Sequence, residues 1–283
     1  MSTATRPATW LAAYDSPPQQ QADGVRSWIT RTANFVVCVS EVDAGAVLEP
    51  AAQSDEHMVL LPPGTKAEIE ADRTVSAAGV ALAIVPPGPS RIVMRNHGRL
   101  IRIFTSSARD MAAAASNAAV YEDGVNDVAP LDPTYSPPGG YTLRCYAMKD
   151  YEKATEGSPF MLFRSAHLMA NIFKPFTKPR DTTRLSPHHH EDFEQCSLAL
   201  TGTFVHRLRY PWGPDLNDWR ADEELKLGSP SLLVIPPRVI HTTYVVSPDG
   251  GWLIDLFAPA RADFVAQPGL VLNAADYPAG GTR

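Results

Sequence analysis

Cysteine is scarce in this chain: its 283 residues contain three, Cys38, Cys145 and Cys196, far apart and odd in number. That is no disulfide framework, and a reducing compartment, the cytoplasm, is the expectation. Nowhere does an apolar run approach the roughly 18 residues a membrane helix needs, so no membrane partner is expected. Charge of one sign is not gathered into blocks. The 25 Lys+Arg and 31 Asp+Glu give a net −6 spread along the chain, which argues against nucleic acid as a partner. Also missing are a Gly-rich phosphate loop, a Gly-x-Ser-x-Gly elbow and a Cys-x-x-Cys pair, so nucleotide binding, serine hydrolysis and zinc-finger readings lose their usual support.

What the chain does have is proline, 26 residues of it, punctuating short apolar runs such as "FVVCVSEV", "GVALAIVPPG", "SLLVIPP" and "WLIDLF". Short strands separated by turn signals predict an all-β sandwich or barrel. One stretch, Ser107 to Gly124, is rich in alanine and predicts a helix that stops at its glycine. The Pro/Gly-rich segment 128–141 follows as a linker, dividing the sequence into residues 1–127 and 142–283.

The halves repeat. Ile84-Val85-Pro86-Pro87 parallels Val234-Ile235-Pro236-Pro237, and Leu100-Ile101-Arg102-Ile103-Phe104 parallels Leu253-Ile254-Asp255-Leu256-Phe257, in the same order and at nearly the same spacing. A duplicated β unit is the reading.

The densest chemistry lies in "SPHHHEDFEQ", residues 186–195. Strand alternation puts His188 and His190 on one face and His189 on the other. Glu194 shares the parity of the first two, and His241 follows a run that would neighbour them in a small barrel. Three imidazoles and a carboxylate suit Fe, Mn, Ni, Cu, Co or Zn better than Ca or Mg, and leave open positions on the ion.

The pattern His188-x-His190-x3-Glu194 with Gly202, then Gly228-x7-Pro236-x4-His241, resembles the two motifs of the cupin superfamily. The resemblance implies an all-β chain of two double-stranded β-helix (jelly-roll) barrels with a short helical linker region. It also implies one divalent transition metal, Fe(II) favoured, held by His188, His190, Glu194 and His241. Where the second motif usually has glycine this chain has Arg238, so the tight turn is expected to be made differently. In the first half, Ala51, Gln53, His57 and Arg91 fall at the four ligand positions, predicting a barrel without metal that is structural or dimer-forming.

Cys196 is read by parity as facing the barrel interior, and as a small inert hydrophobe before a reactive thiol. His167 and His206 are candidates for acid/base groups around the metal. The long excursion Arg209 to Glu224, with Trp212 and Trp219, is a candidate lid or wall. The favoured function is a mononuclear non-haem iron dioxygenase acting on a small enolisable or aromatic acid. The alternatives are an O2-independent decarboxylase, isomerase or lyase, and a non-catalytic small-molecule binding protein. A small molecule is the expected substrate, and a homodimer the expected assembly.

Overall fold

A computed structural model describes residues 5–280 of the chain. Two barrels, each made of a large and a small antiparallel sheet, fill it. In the N-terminal barrel the large sheet runs Arg144–Ala147, Ala81–Val85, His57–Leu61, Gly98–Thr105, Phe35–Val42, Val25–Arg31, Gln20–Ala22. Facing it is the small sheet Val47–Leu48, Arg91–Met94, Lys66–Glu70, Thr74–Ala78. In the C-terminal barrel the large sheet runs Thr9–Ala12, Ser231–Ile235, Gln195–Thr201, Trp252–Phe257, Met169–Phe173, Phe160–Arg164. Its small sheet is Glu223–Leu227, Phe204–Arg209, Ile240–Val245.

The strands His57–Leu61, Ala81–Val85, Ser231–Ile235 and Trp252–Phe257 are buried at every position. Each has one face in its own barrel and the other against the second barrel, so they read as unbroken apolar runs without alternation. Val37, Met58, Ile84 and Ile103 of one large sheet share a single core with Phe163, Ile172, Leu198 and Leu256 of the other. Each such side chain contributes about 1.5–3 kcal/mol by leaving water.

The ladders carry the repeat. Met58 pairs with Ile84 on one side and Ile103 on the other, while Cys196 pairs with Val234 and Leu256. The barrels also exchange edges. Thr9–Ala12, from the start of the chain, pairs with Ser231–Ile235, and Arg144–Ala147 pairs with Ala81–Val85. Each strand covers an edge that would otherwise be open to another chain.

The alanine-rich stretch expected to be helical from Ser107 to Gly124 is α-helical only over Arg109–Ala114, with a 3-10 turn at Ala118–Tyr121. Sheet contacts end the helix. Ser116 N–H donates to Ile29 O at 2.8 Å, and the Asn117 side chain bonds Arg31 N, Arg31 O and Thr9 Oγ1, an alternative to the helical ladder of the kind asparagine favours. Among the described residues no helix is long and apolar enough to cross a membrane.

Candidate metal centre

His188 lies in an extended segment laid beside Val239 to His241. Its N–H donates to His241 O at 3.0 Å, and His241 N–H donates back to His188 O at 2.7 Å. Two residues on, His190 O accepts from Arg238 N–H at 2.6 Å. These backbone bonds bring the three rings together, with centroids 4.4 to 5.2 Å apart and one donor nitrogen from each within 4.8 Å of the others. His188 is exposed, whereas His190 and His241 are buried.

Arg238 has φ +65°, and Gly88, at the equivalent place after Pro86-Pro87, has φ +113°. The turn is therefore made in the same left-handed sense, by an arginine bearing the strain glycine would avoid. This corrects the expectation that it must be built differently.

The rings are oriented from behind. His188 Nδ1 lies 3.0 Å from Ser186 O and His241 Nδ1 lies 2.9 Å from Val239 O, so in both the Nδ1–H donates to a carbonyl and Nε2 keeps its lone pair. Burial pushes His241 down to about 3 and His190 down to about 4, so both are neutral and ready to ligate at ordinary pH. This donor chemistry suits a divalent first-row transition ion and not Ca or Mg.

The structure does not bring Glu194 to the cluster. Its carboxylate is buried against the other half of the chain, where Arg6 Nη1 donates at 2.8 Å, Tyr121 OH at 2.8 Å and Ala33 N–H at 2.6 Å. Its neighbour Gln195 takes the inward position, with Oε1 3.0 Å from His190 Nε2 and 3.3 Å from His241 Nε2. The strand Gln195–Thr201 begins only after the bend at Glu191-Asp192, which breaks the alternation counted from His188. The same slip reverses Cys196: it lies in the core between the barrels, not in the barrel interior, and burial raises its thiol.

The ladder also corrects by one residue the sequence match between the halves, which sets His57 at the place of Glu194. Gln195 faces Ile235 as His57 faces Val85, making His57 the counterpart of Gln195 and Glu56 that of Glu194. Glu56 behaves accordingly, accepting from Tyr277 OH at 2.6 Å and from Ala166 N–H at 2.9 Å in the opposite half.

Gln195 leads inward to a chain that sequence reasoning missed. Its Nε2 donates to Ser197 Oγ at 2.9 Å, and Ser197 Oγ donates to Asp255 Oδ1 at 2.6 Å. Burial pushes the Asp255 carboxyl up to about 6. The available signal was parity: residues 195, 197 and 255 share the interior face, and their polar side chains stand out in otherwise apolar strands.

His206 also faces this interior, its Nδ1 2.9 Å from Thr243 Oγ1, and burial holds it down at about 4. His167 is elsewhere. It bridges Asp55 Oδ2 at 2.6 Å and Asp132 O at 2.8 Å, tying the linker to both barrels, and is thereby corrected as a group near the metal site. Phe193 stacks on His190 at 4.4 Å and meets Phe257 edge-on, with Arg261 over both rings. The excursion after Arg209 runs along the N-terminal segment: Ala8 N–H donates to Tyr210 OH and Arg220 Nε to Thr5 O. Trp212 and Trp219 stack on one another at 4.3 Å, with Trp212 exposed.

No family model and no curated protein matches this chain. Solved structures do. The oxalate decarboxylase of Lactobacillus farciminis in its formate complex is 12% identical, covering 94% of this chain and 90% of its own, with a TM-score of 0.57. Protein Ylba from E. coli is 11% identical over 92% of this chain and 95% of its own, at 0.58. The cupin 2 conserved barrel domain protein from Leptotrichia buccalis is 10% identical over 88% and 96%, at 0.50. The likeness is one of fold: this chain has the cupin fold, in two jelly-roll barrels.

Proposed function

We propose that the C-terminal barrel holds one divalent transition metal ion by His188, His190 and His241, and that the protein is a mononuclear non-haem iron dioxygenase of a small enolisable or aromatic acid. The observation that carries the metal reading is the convergence of three imidazoles within 4.8 Å, two of them fixed through Nδ1. The dioxygenase reading rests on the character of that donor set. With Glu194 turned away, every donor is neutral, so a bound ion keeps its full charge and favours an anionic substrate such as a carboxylate or enolate. When bound, such an ion supplies Lewis acidity and, as iron, one-electron chemistry with O2.

The chain's own residues supply the rest. Phe193 and Phe257 flank His190 and exclude water on that side. Exposed His188 marks the side open to solvent. Gln195 Oε1 accepts from His190 Nε2–H, which positions that ring and connects it to Ser197 and Asp255. O2-electrode measurements on the iron-loaded protein, after anaerobic addition of diketones, phenols and hydroxy acids, test the reading. Substrate-dependent O2 uptake is expected, and none across the panel contradicts it.

A second reading, O2-independent decarboxylase, isomerase or lyase chemistry, is favoured by the same Gln195–Ser197–Asp255 chain, since Asp255 is a buried carboxyl that retains a proton up to about pH 6. Turnover unchanged when O2 is removed would select it.

A further inference from the structure

The N-terminal barrel carries, on the same register, the opposite charge. Arg102 pairs with Val59 and Cys38 as Asp255 pairs with Ser197 and Asn171, so an arginine occupies the place of the C-terminal barrel's buried acid. Arg102 is 6% exposed. Its Nη2 donates to Cys38 Sγ at 3.2 Å and Ser40 Oγ at 3.3 Å, Ser40 Oγ lies 2.8 Å from Ser27 Oγ, and Nε has no partner. Among the described residues Arg102 makes no ion pair. An arginine cannot shed its proton, and a buried charge left without a counterion is costly.

Beside it is His57, 1% exposed, stacked on Phe104 at 4.9 Å, with neither ring nitrogen bonded. Burial and the nearby Arg102 push His57 down to about 3, so the guanidinium is the local charge. Arg102 and Ser27 line a cavity of about 590 Å³ that also meets Leu48 and Met111. The acids around this cavity stand in solvent: Asp23 and Asp110 are exposed, and Glu49 is held by Arg91 at 2.9 Å. They leave the guanidinium uncompensated while disfavouring anions of higher charge.

We propose that the N-terminal barrel is a second ligand site, which receives a small organic monocarboxylate against the Arg102 guanidinium, with Ser27 beside it. A planar carboxylate matches the planar, forked guanidinium. One cation at the base of a partly apolar cavity fits a single negative charge better than phosphate. The site is independent of the metal centre, lies in the other barrel, and gives the first half a binding role.

The test is 19F NMR of trifluoroacetate and 4-fluorobenzoate added to the full chain, as wild type, His241→Ala and Arg102→Met. Saturable line broadening is expected in wild type and His241→Ala, reversed by acetate but not by inorganic phosphate, and weakened about tenfold or more in Arg102→Met. Arg102→Lys, which keeps the charge without the planar fork, is expected to weaken binding several-fold and guards against a Met variant that fails to fold. Broadening absent from wild type, undiminished in both Arg102 variants, or abolished in His241→Ala would overturn the proposal. Reversal by phosphate as effective as by acetate would overturn the carboxylate assignment.

Discussion

In the C-terminal barrel, Gln195, Ser197, Asp255 and Asn171 lie across four strand positions of the interior face; in the N-terminal barrel the same positions hold His57, Val59, Arg102 and Cys38. The scaffold around them is common, down to the positive φ after Pro86-Pro87 and after Pro236-Pro237 and the two glutamates that reach across. One set surrounds a cluster of imidazoles suited to a cation; the other surrounds a buried cation. Duplication thus preserved the ladder and the seam between barrels while the interior chemistry diverged. A glutamate adjoining a histidine cluster belongs to the seam, not to the site.

Breaking the seam should have the largest effect. Glu194→Ala leaves Tyr121 and the Ala33 N–H without their acceptor and Arg6 with Asp127 alone, and is expected to lose about 3 kcal/mol in denaturant unfolding. Glu56→Ala, whose direct partners are a hydroxyl and a backbone amide, should lose about 1–2 kcal/mol. A loss under Glu56→Ala but none under Glu194→Ala would break the correspondence.

The interior acid comes next. Asp255 binds its proton more tightly folded than unfolded, so between its ordinary value of 3.8 and about 6 the native state holds the extra proton and stability falls as pH rises. Above pH 6 the buried carboxylate costs on the order of 2–3 kcal/mol. Asp255→Asn should therefore raise the melting temperature of chelator-treated protein at pH 8 and change it little at pH 4. A pH-independent effect would contradict the burial argument.

The smallest effect concerns the turn. Arg238→Gly relieves the left-handed strain and should stabilise by about 0.5–1 kcal/mol, whereas Gly88→Ala should destabilise by a similar amount. Equal signs in the two melts would show that the turns are not equivalent.

Much of this was legible in the sequence. The Pro-Pro landmarks and the LIRIF/LIDLF pair exposed the duplication because both lie in ladders that the repeat conserves. His188, His190 and His241 were legible because the first two share a local alternation. Glu194 was misplaced because alternation does not survive the bend between His190 and the strand beginning at Gln195, and a slip of one residue reverses a strand's faces. The exchanged edges were hidden for another reason: Thr9–Ala12 finds its partner more than two hundred residues away, and no local pattern encodes that pairing.

The central claim, that three histidines without Glu194 form the metal site, is tested most directly by elemental analysis of purified wild type, Glu194→Gln and His241→Ala. Glutamine keeps an acceptor for Ala33 and Tyr121, so the seam survives well enough to purify the protein. The account predicts about one divalent transition ion per chain in wild type and in Glu194→Gln, and under about a tenth of that in His241→Ala. Metal lost from Glu194→Gln and retained in His241→Ala would contradict it.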